Sequence, residues 1–256
     1  IQEMHAAANL DDAAQVSAWR GEPLFWEDPQ PAGPLFPLQP LDEQSLPGRT
    51  FEEAVLRRGS SRRFSQRPLP FSEVSTLLLR AAAAFPACWL DSSADMLNDL
   101  YLSVHAVQGL APGLYVYHRQ LRALELLQPG DFRGQAAHLC LGQDLGGDAS
   151  LTIFFLADLN AILARYGNRG YRLVQMEAGI TGGNLYLGAY ALGRGASGLT
   201  FFDDEVVHSF SPHAAGLDAV VVVALGVPAP TGAPRGRMLL IPPGGPVNVR
   251  TQGGMP

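Results

Sequence analysis

The chain has 256 residues, enough for one large domain or two small ones around a sizeable core. With 47% hydrophobic and 16% charged residues it is not a disordered chain, and its formal charge of −6 argues against a nucleic-acid-binding face, which needs net basic character. A chain this apolar implies either a large core or a face buried against a partner.

Residues 1–49 hold Pro29, Pro31, Pro34, Pro37, Pro40 and Pro47 and show little periodicity. They predict an extended N-terminal arm whose Trp19, Phe25, Trp26, Leu35 and Phe36 pack on another surface, such as a second subunit; the alternative is a floppy tail. A helix follows over 51–58, with Thr50 as N-cap, Glu52 and Glu53 in its first turn, and Gly59 ending it in a left-handed conformation. Arg57, Arg58, Arg62, Arg63 and Arg67 crowd this stretch. Such local positive charge on an acidic chain points to an anion site, or else to a solvated helix end. A second helix is predicted from Phe71 to Ala84, capped by Ser72, with Leu77, Leu78 and Leu79 on its buried side and Pro86 beyond it.

Residues 100–107 and 113–117 read as strands, 121–127 as the return of a hairpin and 131–139 as a short helix. Residues 151–156 form an apolar run of buried-strand type. A long helix is predicted over 171–192, punctuated by Gly179, Gly182, Gly183 and Gly188. Each interior glycine costs about 1 kcal/mol relative to alanine, so the run implies close packing against another helix or a flat ligand, the alternative being a broken helix. Residues 218–225 (DAVVVVAL) form the clearest strand, and the sequence from Pro228 onward is irregular. The pattern is α+β, with helices and strands interspersed and hairpins among them. It organises as an arm over 1–49, a core domain over 50–230 and an irregular extension over 231–256.

Cys88 and Cys140 offer neither a metal-ligand spacing nor a disulfide framework and read as small buried hydrophobes, so no metal is expected. No secretory signal and no run long enough to span a bilayer is present; a cytoplasmic protein without a membrane segment is expected. Because it starts at Ile1, the chain reads as trimmed or partial. The common Gly-rich nucleotide loops, HExxH and GxSxG are absent.

Four segments, in order, resemble the FMN-dependent nitroreductase superfamily, and in particular its SagB-type branch of peptide dehydrogenases. They are Arg58-Gly59-Ser60-Ser61-Arg62-Arg63-Phe64 with Pro68-Leu69; Gly109 to Tyr117 (GLAPGLYVY); Arg165 to Arg172 (RYGNRGYR) with Glu177-Ala178-Gly179 and Asn184-Leu185; and Gly198 to Asp204 (GLTFFDD). His5 to Asn9 (HAAAN) adds a faint fifth. The resemblance implies a nitroreductase-like fold, a mostly antiparallel central sheet flanked by helices in an intertwined homodimer, with FMN at the subunit interface.

FMN pairs a phosphate dianion with a flat apolar ring, so its site needs cations at one end, apolar walls at the other and a backbone donor near ring N5. Arginine suits the phosphate because its planar fork bonds two oxygens at once. By resemblance, Arg58, Ser60 and Arg62 make the phosphate, ribityl and ring-edge contacts. Backbone N–H groups at Thr200 and Phe201 approach N5. Arg235 and Arg237 reach the phosphate of the other subunit, unless they are solvent-exposed tail residues. The branch's Lys-Tyr pair, which removes a proton as flavin takes a hydride, reads here Arg165-Tyr166. Arginine stays protonated and cannot be a general base. Tyr166 remains as an acid/base or orienting hydroxyl, or as a structural tyrosine.

Three further departures stand out. Gly59 replaces a family Arg or His, and Ile180 replaces a His. The ring-side "PSAG" turn is replaced by Cys88 to Asp95, where Ser92 or Ser93 fills the serine position and Asp91 and Asp95 set negative charge near the ring. The expected activity is oxidation of an azoline to an azole in a modified peptide, with a peptide substrate and a cyclase partner. The alternatives are a degenerate scaffold without redox activity and a general NAD(P)H-dependent nitroreductase.

Overall fold

The computed structural model describes residues 2–20, 30–83, 96–200 and 202–230. In chain order the elements are α1 (Gln2–Ala6), α2 (Ala13–Arg20), β1 (Leu35–Pro37), a 3-10 turn (Glu43–Ser45), α3 (Phe51–Arg57), β2 (Leu69–Pro70), α4 (Phe71–Ala81), β3 (Asp99–Val104), β4 (Val107–Gln108), β5 (Gly113–His118), β6 (Ala123–Pro129), α5 (Arg133–Leu139), α6 (Asp144–Asp148), β7 (Leu151–Ala157), α7 (Leu159–Tyr166), α8 (Arg169–Ala191), β8 (Gly195–Leu199), α9 (Val206–Ser209) and β9 (Asp218–Gly226). Seven strands form one sheet in the order β1-β6-β5-β3-β7-β9-β8, every neighbour antiparallel, and β2 pairs with β4 in a small parallel ladder.

The two central strands explain the architecture. LTIFFLA in β7 is buried at every residue, so both faces of the sheet must be covered. On one face Ile153, Phe155 and Leu151 pack with α4 and α8 through Leu77, Leu78, Leu173, Val174 and Leu185. On the other, Phe154 and Leu156 pack with Tyr101, Val116, Leu139, Val206 and Phe210. Burial of these side chains is the main stabilising term, at roughly 1.5–3 kcal/mol for each large apolar group.

The expected α+β class and antiparallel sheet stand. The arm departs from the extended reading. Its first 20 residues hold two helices, and Leu35–Pro37 joins the sheet as an edge strand. Two of its aromatics pack on this chain's own body. Phe36 meets the Tyr115 ring edge-on at 5.9 Å, and the Trp19 indole donates to the Tyr166 carbonyl at 3.1 Å. Phe25 and Trp26 lie outside the described residues, as does Cys88. Thr50 caps α3 as expected, in a reciprocal box with Glu53. Gly59, however, is not left-handed; the helix ends through Arg58 in an extended conformation. Ser72 does not cap α4, which begins after Pro70. Besides the arm's helices and edge strand, the 3-10 turn, the short β2–β4 ladder, α6, α7, β8 and α9 also went unpredicted. No helix is long and apolar enough to cross a membrane, among the described residues.

A buried imidazole gives the fold a marked acid sensitivity. His105 follows β3, with Nε2 2.8 Å from Ser103 Oγ and Nδ1 3.2 Å from the Ala149 carbonyl. Burial pushes its pKa down to about 4. Below pH 6.5 the unfolded chain takes up this proton while the folded chain does not, so stability falls as pH drops from about 6.5 towards 4 and this loss ends below 4. The loss approaches about 3 kcal/mol for a shift of this size. In urea titrations at pH 7 and pH 4.5, the His105→Gln variant should therefore lose clearly less stability on acidification than the parent. Equal losses in both would contradict the assignment.

Candidate functional site

The segment after α3 is laced onto the far edge of the sheet. Ser61 N–H donates to the Ala196 carbonyl at 2.8 Å, Ser65 N–H to Val227 at 2.9 Å, and Ala229 N–H to Arg63 at 3.0 Å. Phe64 and Pro228 form an antiparallel bridge. The loop runs so close to β8 that a Cβ on Gly195 would lie 2.1 Å from Ser61 Oγ and 2.8 Å from Pro228 Cγ. This approach fixes the backbone from which Arg58 and its neighbours project.

None of Arg57, Arg58, Arg62, Arg63 and Arg67 has a carboxylate partner among the described residues. Elsewhere some arginines do meet carboxylates: Arg194 forks onto Glu73 at 2.6 and 2.7 Å, and Arg80 meets Glu43. The loop thus concentrates uncompensated positive charge beside a cleft of about 610 Å³. Val55 and Arg58 line one end, the stretch of α8 from Ala178 to Leu187 the floor, Gly198, Leu199 and Thr200 one wall, and Val221, Val222 and Val223 the other.

The floor is bare. A Cβ on Gly179 or on Gly183 would meet nothing within 4 Å and would project into open space. Helix propensity alone disfavours glycine there by about 1 kcal/mol each. Two glycines on the exposed side of one long helix leave a flat apolar surface that side chains would otherwise fill. Tyr186 rises from the same helix and ties the site together. Its hydroxyl accepts from Gly198 N–H at the end of β8 and lies 3.3 Å from Ser60 Oγ on the arginine loop.

Glu177 anchors the opposite boundary. It is fully buried, and its carboxylate accepts from Leu97 N–H and Asn98 N–H, both at 2.8 Å, and from the Asn98 amide at 2.9 Å. Burial raises its pKa, opposed by those hydrogen bonds and by the charge of Arg119. The residues it grips immediately follow the 88–95 segment, so the exit of that segment is pinned to α8.

Of the residues expected from sequence, Arg58, Ser60 and Thr200 converge here. Arg62 sits exposed on the same loop without lining the cleft. Arg165 and Tyr166 do not join them within one chain. They close α7, a separate helix that ends before α8 begins, and along α8 itself the cleft floor starts at Ala178, nine residues or about 13.5 Å beyond Arg169. There the Arg165 guanidinium lies 4.7 Å from the centroid of the Tyr166 ring and donates to the Trp19 carbonyl at 3.1 Å, and so holds the arm. Ser93, Phe201, Arg235 and Arg237 lie outside the described residues. The sequence reading missed Tyr186, Gly195 and the three valines. Tyr186 was findable as a polar-tipped residue three and four positions from Gly183 and Gly182. Gly195 was not, because its neighbour comes from 134 positions earlier.

The arrangement can bind a planar, largely apolar ring carrying an anionic tail. The donors, the flat floor and the uncharged walls match that chemistry. A flavin mononucleotide meets all three requirements, so the residues present fit it.

Comparison with known proteins places these features. The model of the nitroreductase family matches residues 55–227. A candidate nitroreductase of Methanocaldococcus jannaschii is 26% identical over 160 residues, covering 60% of this chain and 81% of that protein. The crystal structure of a candidate nitroreductase from Anabaena variabilis superposes with a TM-score of 0.67 at 26% identity, over 86% of this chain. The chain spans 48% of that longer protein. The Escherichia coli microcin synthetase McbBCD complex with truncated pro-MccB17 bound matches at a TM-score of 0.56 and 16% identity, over 88% of this chain and 85% of that one, a likeness of fold.

Gly195→Ala tests the lacing. The added methyl must push Ser61 away from β8, at an overpacking cost of about 1–3 kcal/mol. The urea midpoint should fall by that amount while the far-ultraviolet circular dichroism is kept. An unchanged midpoint would mean that the loop is not held against β8.

Proposed function

The chain belongs to the nitroreductase family, oxidoreductases that typically bind flavin, and from that premise we propose that it is an FMN-dependent dehydrogenase of modified peptides. The observation that carries the flavin reading is the cleft itself: an unpaired arginine at one end of a glycine-floored, valine-walled trough. Arg58, with Ser60 and with Arg62 reaching in from the same loop, would hold the phosphate and ribityl chain of FMN. The bare face of α8 and Val221 and Val223 would exclude water from the ring. Backbone N–H groups at Thr200 and Phe201 would face its N5 edge, Ser93 would complete the ring side, and Arg235 and Arg237 would add cations from a second subunit; the roles of Phe201, Ser93, Arg235 and Arg237 rest on the family resemblance. FMN supplies a two-electron acceptor beside the substrate.

The second subunit is itself part of the reading. The exposed side of α3 and α8 shows Phe51 at 71% exposure, Leu56 at 58%, Tyr171 at 48% and Met176 at 44%. Such an apolar surface beside the bare glycines favours a homodimer packed through these helices.

An azoline in a peptide is the proposed substrate, supplied by a cyclase partner that forms the ring. Support comes from the segments Gly109 to Tyr117 and Arg165 to Asn184, which resemble the SagB-type branch. Oxidation of that ring removes a hydride and a proton. Arg165 keeps its proton and serves to hold Tyr166 and the arm. Tyr166, buried against Trp19 and outside this chain's own cleft, takes the structural role, and the proton passes to water. A second reading, a general NAD(P)H-dependent nitroreductase, is favoured by the names of the Methanocaldococcus and Anabaena relatives.

The purified chain should be yellow, should run at twice its chain mass, and should oxidise a thiazoline-containing peptide. Rapid bleaching by NADPH with turnover of a nitroaromatic, and none of the thiazoline, would select the second reading. A chain that stays colourless with added FMN would overturn both. Arg58→Ala removes a charge-assisted contact of about 1.5–3 kcal/mol, so FMN affinity should fall about ten- to a hundredfold.

A further inference from the structure

We propose that His118, Glu125 and His213 form a binding site for a divalent transition-metal ion, Zn²⁺ by its donor set, separate from the flavin cleft. The three side chains offer one ligand atom each, and these atoms all lie within 4.8 Å of one another. Two imidazoles and a carboxylate with an open fourth position are an established zinc donor set.

Local structure explains how they meet. His118 ends β5 and Glu125 sits in β6, where Val116 pairs with Glu125 and His118 with Ala123. The two are therefore diagonal neighbours on one face of the hairpin, within reach of long side chains. That face belongs to the Tyr101–Phe210 core, on the opposite side of the sheet from α8. His213 arrives from the loop after α9 and closes the triangle.

The chemistry around the donors is that of ligands held in place. Glu125 is 2% exposed, and its Oε1 accepts from Ala32 N–H at 2.9 Å and Gly33 N–H at 2.6 Å, leaving Oε2 to face His118 Nε2 at 2.7 Å. The Tyr101 hydroxyl lies 2.8 Å from His213 Nδ1 and fixes that ring. Such outer hydrogen bonds set the tautomer and orientation of metal-binding residues. His213 Nε2, by contrast, is buried with no hydrogen-bond partner among the described residues. A buried nitrogen left unsatisfied is destabilising, and the His118–Glu125 hydrogen bond does nothing to recover that loss, whereas a metal bond does. Burial also lowers the His213 pKa below its ordinary value.

Two ligands of one tetrahedral Zn²⁺ stand about 3.4 Å apart, given bonds of roughly 2.1 Å. His118 Nε2 and Glu125 Oε2 are closer than this because they share the imidazole proton. Binding removes that proton from Nε2, opens the pair by several tenths of an ångström and draws His213 in. A cleft of about 380 Å³ reaches Glu125 and His213 past Ser209 and Ser211, providing an entry path and room for a water as the fourth ligand. The trio His138, Asp203 and Glu205, in which both His138 and Glu205 are exposed, lacks this enclosure. An ion at the buried site would tie the loop after α9 to the β5–β6 hairpin and, through Glu125, to the arm at Ala32 and Gly33.

The test uses the untagged full chain, stripped with chelator, given one equivalent of Zn²⁺ and desalted, with metal measured by atomic emission and affinity by competition with a chromophoric chelator. One ion per chain is expected. Tyr101→Phe should weaken binding about ten- to a hundredfold. His213→Ala should abolish stoichiometric retention while leaving flavin content unchanged, which keeps this result independent of the flavin reading. Should His213→Ala fail to fold, Co²⁺ added to the parent chain should give the intense visible bands of a tetrahedral site. No retained ion, or an ion retained equally by Tyr101→Phe and His213→Ala, would overturn the proposal, as would a six-coordinate Co²⁺ spectrum.

Discussion

The close seating of residues 60–65 against β8 and the end of β9 governs the rest of the site. Backbone hydrogen bonds at Ser61, Arg63 and Ser65 use up that loop's main chain, and Gly195 permits an approach no other residue would allow. Arginines before and within the loop are then displayed beside the cleft rather than dispersed. Because no carboxylate neutralises them among the described residues, their field is available to an anion.

The longest helix serves two ends. One side of α8 carries Leu173, Val174, Ala178 and Leu185 into the core, and these fix its position on the sheet. The other carries Gly179 and Gly183, which contribute nothing to packing within the chain. Core burial of several kcal/mol offsets the weak helix propensity of the glycines, which is why a flat, open floor persists in the middle of a 23-residue helix. Glu177 lies between the two sides and couples the helix to the backbone entering β3.

Much of the fold was legible because its signals are local. The Thr50 cap with Glu53, the valine run of β9 and the apolar run of β7 each announce their element within a few residues. β8 was not legible, since Gly195-Ala196-Ser197-Gly198-Leu199 has neither alternation nor β-branched content and is a strand only because β9 pairs with it. The site divided along the same line. Arg58, Ser60 and Thr200 were found through a motif and do come together. Arg165 and Tyr166 matched a motif equally well, yet tertiary contacts engage them with Trp19 and the arm. His118, Glu125 and His213 carry no spacing signal, because a hairpin diagonal and a distant loop bring them together.

The central claim is that uncompensated arginine charge beside the trough recognises a phosphate tail, and the most direct measurement compares the affinities of FMN and riboflavin, which differ only in that phosphate. FMN should bind at least tenfold more tightly at low salt, and the advantage should shrink as salt rises, because part of it comes from exposed guanidinium groups. Equal affinities for the two flavins, or an advantage indifferent to salt, would contradict the account.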